Sequence, residues 1–188
     1  MHLYSMSQQD LIAQLESELR AALAEIRTRF ATLDPNVLRH RPAPEVWNIL
    51  ECMAHLNRYA DDYIPGINRA IHRAKARCWM PGDTVLYTAR GRRLVRRADP
   101  ANGKTYKTSK RYNFTHQPVE PEVIKSLIIK YEQLLRILES AKEVDINRST
   151  VDKVGSWFGR YSLGNLLEFL IKHNRRHLQQ AQSLLEKS

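Results

Sequence analysis

The stretch KHNRRHLQQ, residues 172–180, lies in an apolar run from Leu163 to Leu185 that contains no proline. If this run is a helix, His173 and His177 are one turn apart and point to the same side. The helical period places Phe169 on that side as well. The two imidazoles therefore belong to the apolar face of the helix. There they either bind one ion together or are core histidines bonded to carbonyls or water.

Three further segments show the same three-to-four spacing of apolar residues, which is typical of amphipathic helices. Together the four predicted helices cover about residues 7–33, 48–74, 121–141 and 163–186. Four long amphipathic helices without a convincing sheet predict an all-α fold, a four-helix bundle in which one connection is long. We expect a single domain that spans residues 1–188.

Capping residues support two of these helix starts. Ser7 followed by Asp10 is typical of the first turn of a helix, and Asn48 followed by Glu51 is typical of a capping box. Pro65 lies inside the second predicted helix, where a missing N–H favours a kink or a break.

Positive charge is concentrated in the connection between the second and third helices. Between Arg69 and Arg111 there are 13 Lys or Arg residues against Asp83 and Asp99, so the segment carries 13 − 2 = +11. Since the chain carries +10 in total, the remainder carries 10 − 11 = −1. The sequence therefore describes a near-neutral body with one basic segment.

Most of this charge lies in an insert of about residues 76–118 that shows no clear helical period. Short strands are predicted at Val85–Tyr87 and at Leu94–Val95. Long connections of this kind are usually functional or disordered. The cations of Arg69–Arg111 are suited to nucleic acid or to another anionic surface, and the segment could also fold over the mouth of the bundle. As an attached loop, it should be removable over about residues 90–110 without unfolding the bundle.

The sequence also bears on location. Cys52 and Cys78 form no disulfide framework, so we expect a reducing cytoplasm. No run of residues is long and apolar enough for a membrane span. The oligomeric state is not fixed by the sequence, and a homodimer stays open.

His55 is the natural third partner for the histidine pair, because it lies in an apolar part of the second predicted helix. It shares a helical face with Glu51, Tyr59 and Asp62. Three imidazoles that leave coordination positions open are typical of a catalytic centre for Zn²⁺, Ni²⁺ or Fe²⁺. Because an imidazole must be neutral to coordinate, such an ion should be released below about pH 6.

Two motifs carry a family resemblance. Residues 41–56, RPAPEVWNILECMAHL, resemble the W-S-x-x-E-x-x-x-H-L signature of the DinB-like (DinB/YfiT-like) superfamily, and residues 163–180 resemble its closing L-G-D-L-L … H-x-x-x-H-L-x-Q signature. The departures are Asn48 for Ser and Asn165 for Asp, both of which cap helices well. The resemblance implies a four-helix bundle in which His55, His173 and His177 bind one divalent ion.

Other residues near the predicted site have weaker assignments. Gln180 and Glu51 are candidates for orienting the ligands from outside the coordination shell, although Glu51 also fits a plain helix cap. Tyr59 and Asp62 are candidate pocket groups, as proton donor and proton acceptor. Cys52 fits a small buried side chain.

Two hypotheses about function follow. Characterised relatives include low-molecular-weight thiol transferases, a thiol-dependent isomerase and hydrolases, so the resemblance implies a metal-dependent transferase or hydrolase that acts on a small molecule. The alternative is a non-catalytic binding protein whose basic segment engages nucleic acid or another anionic partner.

Overall fold

Helices account for most of the part of the chain that the computed structural model describes, residues 6–155 and 159–186. In chain order the elements are α1 (Gln8–Glu25), α2 (Pro35–Arg39), α3 (Ile49–Ala76), α4 (Ala89–Ala98), α5 (Glu122–Ala141), β1 (Thr150–Asp152), β2 (Arg160–Ser162) and α6 (Leu163–Leu185). The all-α fold predicted from the four amphipathic segments is confirmed.

The four long helices pack in a ring. Helix α1 contacts α5 and α6, and α3 contacts the same two helices from the other side. The apolar faces meet in one core, because each helix turns its three-to-four stripe inward. Fully buried members of this core include Leu15, Leu19, Leu56, Tyr131 and Leu166. This arrangement is a four-helix bundle in which α3 and α6 are neighbours.

The predicted caps are present. The Ser7 side chain accepts a hydrogen bond from the Asp10 N–H at 3.0 Å. Asn48 and Glu51 form a reciprocal capping box, with N–H to side-chain distances of 2.8 and 2.9 Å. These bonds satisfy amide groups that the first turn of a helix leaves without partners. They explain why α1 and α3 begin where the sequence predicted.

The break predicted at Pro65 does not occur, and α3 runs from Ile49 to Ala76 without interruption. Pro65 removes the hydrogen bond to the carbonyl of Asp61. Both residues lie on the exposed side of α3, where water can satisfy that carbonyl. The first helix is also less regular than expected, because its last turn, Ile26–Phe30, is π-helical.

The basic insert contains a helix that was not predicted from the sequence. Helix α4 includes Leu94 and Val95, so the strand predicted there is wrong, and residues 85–87 form no strand either. The buried face of α4 consists of Gly91, Val95 and Ala98, and it packs on α6. Two of these residues are very small, so the helical period is hard to see among five arginines. The insert is therefore packed structure and not a loose loop.

The connection between α5 and α6 contains a two-stranded antiparallel hairpin in which Val151 pairs with Tyr161. Trp157 and Phe158, which belong to this connection in the sequence, lie outside the described residues. Within the ranges described above, no helix combines the length and the apolar character that crossing a bilayer would demand.

Candidate metal centre

The packing of α3 against α6 brings the three predicted histidines together. His55 comes from the second turn of α3, and His173 and His177 come from consecutive turns of α6. His55 and His173 are 2% and 7% exposed, whereas His177 is partly exposed. Each offers a ring nitrogen, and these three nitrogens lie within 4.8 Å of one another. The cluster is large enough and close enough to hold one metal ion.

The spacing of two of the nitrogens fits a shared ion. His55 Nε2 and His173 Nε2 are 3.2 Å apart. Two nitrogens bound to one ion at about 2.1 Å lie roughly 3.0–3.4 Å apart for angles between octahedral and tetrahedral. Without an ion, the pair is compatible with a hydrogen bond from a protonated His173 Nε2 to His55 Nε2. The observed distance suits either arrangement.

Outer hydrogen bonds orient two of the three imidazoles. His55 Nδ1 lies 2.7 Å from the carbonyl oxygen of Tyr112, and His177 Nδ1 lies 2.9 Å from Oε1 of Gln180. A carbonyl oxygen only accepts, so His55 donates from Nδ1 and keeps a lone pair on Nε2. Metal-ligating histidines are usually held in this way. His173 differs, because its Nδ1 has no hydrogen-bond partner among the described residues.

Burial keeps the cluster neutral. Burial lowers the pKa of His55 to about 4. Burial also lowers the pKa of His177 to about 3, and the repulsion that a protonated His177 would meet from His55 adds to this effect. Burial lowers the pKa of His173 well below its ordinary value, and the two other histidines add to this effect. Neutral imidazoles are the form that coordinates a metal ion. At neutral pH the site is therefore ready to bind a cation without first losing protons.

Aromatic rings form the wall of the cluster. The centre of the Tyr59 ring is 4.3 Å from that of His173, and the Trp47 ring lies 4.9 Å from His55. Phe169 stacks on His173 at 5.3 Å, as the helical period predicted. Burial raises the pKa of Tyr59 to about 12, so this phenol keeps its proton at neutral pH. The wall is mostly apolar and limits the access of water.

Residues 110–117, which we call the closing segment, lie against the cluster. Three hydrogen bonds tie this segment to the first two turns of α3 and to Trp47, which lies two residues before the helix. The Trp47 indole N–H donates to Thr115 Oγ1 at 2.7 Å, and the His116 N–H donates to the Glu51 carboxylate at 2.8 Å. The third is the bond from His55 to the Tyr112 carbonyl. The basic insert thus contributes directly to the surroundings of a predicted ligand.

Glu51 has a clear structural role. Its carboxylate is 1% exposed and is held by the Asn48 N–H, the His116 N–H and the Arg41 guanidinium, which is 2.5 Å away. It therefore caps α3 and anchors the closing segment one turn before His55. Glu51 could affect the metal ligands only through the closing segment. The predicted role of Glu51 in orienting those ligands stays a prediction.

Asp62 also anchors the closing segment. Its side chain is 7% exposed and forms a bidentate ion pair with Arg111, in which one hydrogen bond measures 2.7 Å. Burial alone raises the pKa of Asp62, but hydrogen bonds from Arg111 and Tyr112 outweigh this effect and leave it below its ordinary value. The carboxylate is therefore ionised and occupied. A role as proton acceptor for a substrate stays a prediction.

Cys52, one turn before His55, is fully buried, and burial raises the pKa of its thiol to about 12. The thiol is therefore protonated and behaves as the small core side chain that the sequence suggested.

The contributions of Trp47, Tyr112 and Thr115 were not predicted from the sequence. Tyr112 meets His55 across 57 residues of sequence, and Trp47 meets Thr115 across 68. No helical period links residues so far apart. The only available signal was the mixture of aromatic residues and cations near the end of the insert.

A sequence model of the family described as the DinB superfamily matches residues 18–181. The chain belongs to the DinB superfamily. The match covers α3 and α6 and therefore all three histidines. No curated protein and no solved structure matched the chain. As a DinB-superfamily protein, the chain combines the helical fold with a three-histidine group suited to a metal ion.

Proposed function

We propose that this protein binds one divalent ion, Zn²⁺, Ni²⁺ or Fe²⁺, through His55, His173 and His177 and catalyses a metal-dependent transfer or hydrolysis on a small substrate. The observation that carries this proposal is the convergence of three neutral imidazoles from two helices. All three donors are nitrogens, which Zn²⁺, Ni²⁺ and Fe²⁺ accept readily and Ca²⁺ and Mg²⁺ do not. Family membership supports the same conclusion.

Three protein ligands leave room for a substrate group, which separates a catalytic centre from a closed structural one. When bound, the ion would supply a Lewis acid that lowers the pKa of a water or thiol beside it. In a transfer reaction, the thiol sulfur would lose its proton and form a bond to an electrophilic carbon, and the leaving group would depart with its bonding electrons. In hydrolysis, water would take the place of the thiol.

The surrounding residues have roles that follow from their positions. Tyr59 keeps its phenolic proton and lies against His173, so we assign it the donation of a proton to the leaving group. Trp47 and Phe169 supply apolar surface for a small organic substrate and keep bulk water from the reacting groups. Gln180 would orient His177, and the Tyr112 carbonyl would orient His55.

A direct test supplies the protein with each of the three metals and measures two reactions. One is conjugation of low-molecular-weight thiols to a chromogenic electrophile, and the other is hydrolysis of small esters and amides. We expect one of these activities to require metal and to disappear in His173→Ala. Tyr59→Phe, which keeps the ring but removes the proton, should bind metal normally and lower kcat. If fully metal-loaded protein turns over no substrate of either class, the enzymatic part of the proposal is wrong.

The alternative of a non-catalytic protein with an anion-binding insert makes a different prediction. Helix α4 packs along the face of α6 that carries Lys172 and Arg176. Each of these residues precedes a histidine ligand candidate by one position and therefore lies about 100° around the helix from it. An anionic partner on α4 would therefore not have to occupy the histidine site. If metal-free protein binds such a partner and metal-loaded protein shows no turnover, the alternative is favoured.

A further inference from the structure

Helix α4 carries an unusual concentration of positive charge on its outer surface. Arg90, Arg92, Arg93, Arg96 and Arg97 are all exposed. Across residues 90–110 there are eight Lys or Arg residues and one acid, Asp99. The buried face of α4 consists of Gly91, Val95 and Ala98. Arg97 lies over the Tyr106 ring at 4.4 Å, so not every arginine is free of packing contacts.

Three of these arginines line a cleft. Arg92, Arg93 and Arg96, together with Tyr87, Ala89, Val95 and Asp99, surround an open cleft of about 620 Å³. We call it the arginine cleft. Its volume lies within the range of roughly 300–1,000 Å³ that is common for ligand sites. Its wall combines apolar and aromatic surface with three guanidinium groups and the Asp99 carboxylate.

The two acids beside the cleft, Asp99 and Glu168, already have partners, with one lysine serving both. Lys172 Nζ lies 2.7 Å from Asp99 and 3.6 Å from Glu168, and the Tyr87 hydroxyl donates to Glu168 at 2.7 Å. By contrast, neither Arg92 nor Arg96 has an ion-pair partner in the part of the chain that the structure describes, and the same holds for Arg93. The uncompensated positive charges of these three arginines lie within adjacent turns of one helix and repel one another. An anion in the cleft would relieve that repulsion.

The residue type indicates phosphate. Guanidinium groups bind phosphate oxygens in a bidentate way and are less strongly hydrated than the ammonium group of lysine. Arg92 and Arg96 are one helical turn apart, which corresponds to about 6 Å along the axis. The cations also continue beyond the cleft to Lys104, Lys107 and Lys110, all exposed. Exposed cations spread over this length of chain are more than one isolated phosphate requires, and they suit a chain of phosphates.

We propose that the arginine cleft binds single-stranded nucleic acid. The phosphates contact Arg92, Arg93 and Arg96, and an unpaired base enters the cleft against Tyr87, Ala89 and Val95. Grooves that combine cations with aromatic and apolar surface are typical of single-strand binding. A duplex keeps its bases paired and could use only the charge. This inference does not rest on the proposed metal chemistry, because none of the lining residues is a candidate metal ligand.

The test uses fluorescence anisotropy with a labelled single-stranded oligonucleotide of about 12 nucleotides and the full-length protein. The test variant is Arg92→Gln/Arg93→Gln/Arg96→Gln. The control is Lys125→Gln/Arg136→Gln/Lys153→Gln, which removes three exposed cations without ion-pair partners from other surfaces. Both variants lower the formal net charge equally, from +10 to 10 − 3 = +7. Circular dichroism confirms folding, and metal content reports separately on the histidine site.

We expect the Kd of the cleft variant to rise at least about tenfold, and the slope of log K against log salt to fall by about 2, which is 0.7 for each of three lost contacts. The control variant should stay within about threefold of the unmodified protein. Equal losses in both variants would show that only net charge matters and would overturn the proposal. Equal affinity for duplex, or no binding of the oligonucleotide at all, would also overturn the proposal. The same holds if inorganic pyrophosphate at equal phosphate concentration displaces the strand fully, or if the protein binds vesicles that contain phosphatidylserine more tightly than the oligonucleotide.

Discussion

His55 Nδ1 donates a hydrogen bond to the carbonyl oxygen of Tyr112 at 2.7 Å and so joins helix α3 to the basic insert. The bond fixes the tautomer of His55 and leaves Nε2 free to face His173. It therefore links two features that appear unrelated in the sequence, a histidine cluster and a basic connection. We expect the closing segment, residues 110–117, to influence how tightly and how quickly metal binds.

The first prediction concerns the ligands. Replacing His173 with Ala removes one of three nitrogen donors, so metal affinity should fall by more than the roughly 10- to 100-fold that is typical for the loss of an outer-shell partner. Helix content should barely change. Isothermal titration calorimetry with Zn²⁺ would measure the loss. His72→Ala, which changes an exposed histidine on α3, is the control and should bind like the unmodified protein. Equal affinity in both variants would remove His173 from the site.

The second prediction concerns Gln180. Its Oε1 lies 2.9 Å from His177 Nδ1, so Gln180→Ala should free the imidazole to rotate and lower metal affinity by about 10- to 100-fold. Gln179→Ala is a matched control, because Gln179 is the preceding residue and is exposed. The same titration distinguishes the two variants. If Gln180→Ala binds as tightly as Gln179→Ala, the hydrogen bond does not orient the ligand.

The third prediction concerns the ion pair that holds the closing segment. Arg111→Ala leaves the buried Asp62 carboxylate without its main partner, so residues 110–117 should open more often. Metal should then dissociate faster, by about tenfold for each 1.4 kcal/mol lost in the closed state. Transfer of Zn²⁺ to a fluorescent chelator gives the rate. Lys110→Ala, which changes an exposed neighbour, should leave the rate unchanged. Equal rates in both variants would contradict the anchoring role.

The fourth prediction concerns pH. In the unfolded chain each histidine has a pKa of about 6.5. In the folded, metal-free protein burial lowers the pKa of His55 to about 4, and the two other histidines shift in the same direction. Between these values the unfolded state binds more protons, so the free energy of unfolding should fall as the pH drops from 6.5 toward 4.

Urea unfolding of metal-free protein at several pH values measures this dependence. The variant with all three histidines changed to Gln should show a flatter dependence below pH 6.5, since Gln does not titrate. The lowered pKa values also move the expected release of metal to a lower pH than the value of about 6 inferred from ordinary histidines. An identical pH dependence in both proteins would show that the cluster is not protonated on unfolding.

The fifth prediction concerns the contact between α4 and α6. A Cβ added at Gly91 would lie 1.9 Å from Oδ1 and 2.6 Å from Cγ of the buried Asn165 side chain. Gly91→Ala should therefore push α4 away from α6 and destabilise the protein by roughly 1–3 kcal/mol, despite the better helix propensity of Ala. Gly82→Ala is the control, because its Cβ would make only an ordinary contact at 3.7 Å. Thermal unfolding measures both, and an unchanged midpoint for Gly91→Ala would contradict the close packing.

The same packing revises the expectation that residues 90–110 can be removed without unfolding the bundle. Val95 and Ala98 are buried against α6, and Arg176 of α6 bonds to the carbonyl of Asp99 at 3.4 Å. Deletion would expose the apolar surface of α6 that these residues cover and would remove the contacts that hold the insert on α6. We now expect the shortened protein to be less stable than the full chain.

Local periodicity explains what could be predicted from the sequence. His173 and His177 are four residues apart on a strongly amphipathic helix, so their common face follows from the helical repeat. The capping box of Asn48 and Glu51 is equally local. His55 could be added because bundle helices turn their apolar faces toward one another, and the family resemblance pointed to the same residue.

The parts that were missed depend on contacts between distant residues or on small side chains. Tyr112 reaches His55 only because the insert folds back over α3. Helix α4 was not predicted because Gly91 and Ala98 add little to a hydrophobic period in the sequence. The same small residues allow α4 to approach α6 closely. The continuity of α3 through Pro65 fits the exposure of that side of the helix, whereas the expected kink or break followed from the general effect of proline alone.

The most direct test of the central claim is the metal content of the purified protein after supplementation with Zn²⁺, Ni²⁺ or Fe²⁺ and removal of free metal. Elemental analysis should find about one ion per chain. The variant with all three histidines replaced by Gln should retain essentially none while keeping its helical circular dichroism spectrum. If the unmodified protein holds no divalent ion near stoichiometry with any of the three metals, His55, His173 and His177 are core histidines, and the proposed metal centre does not exist.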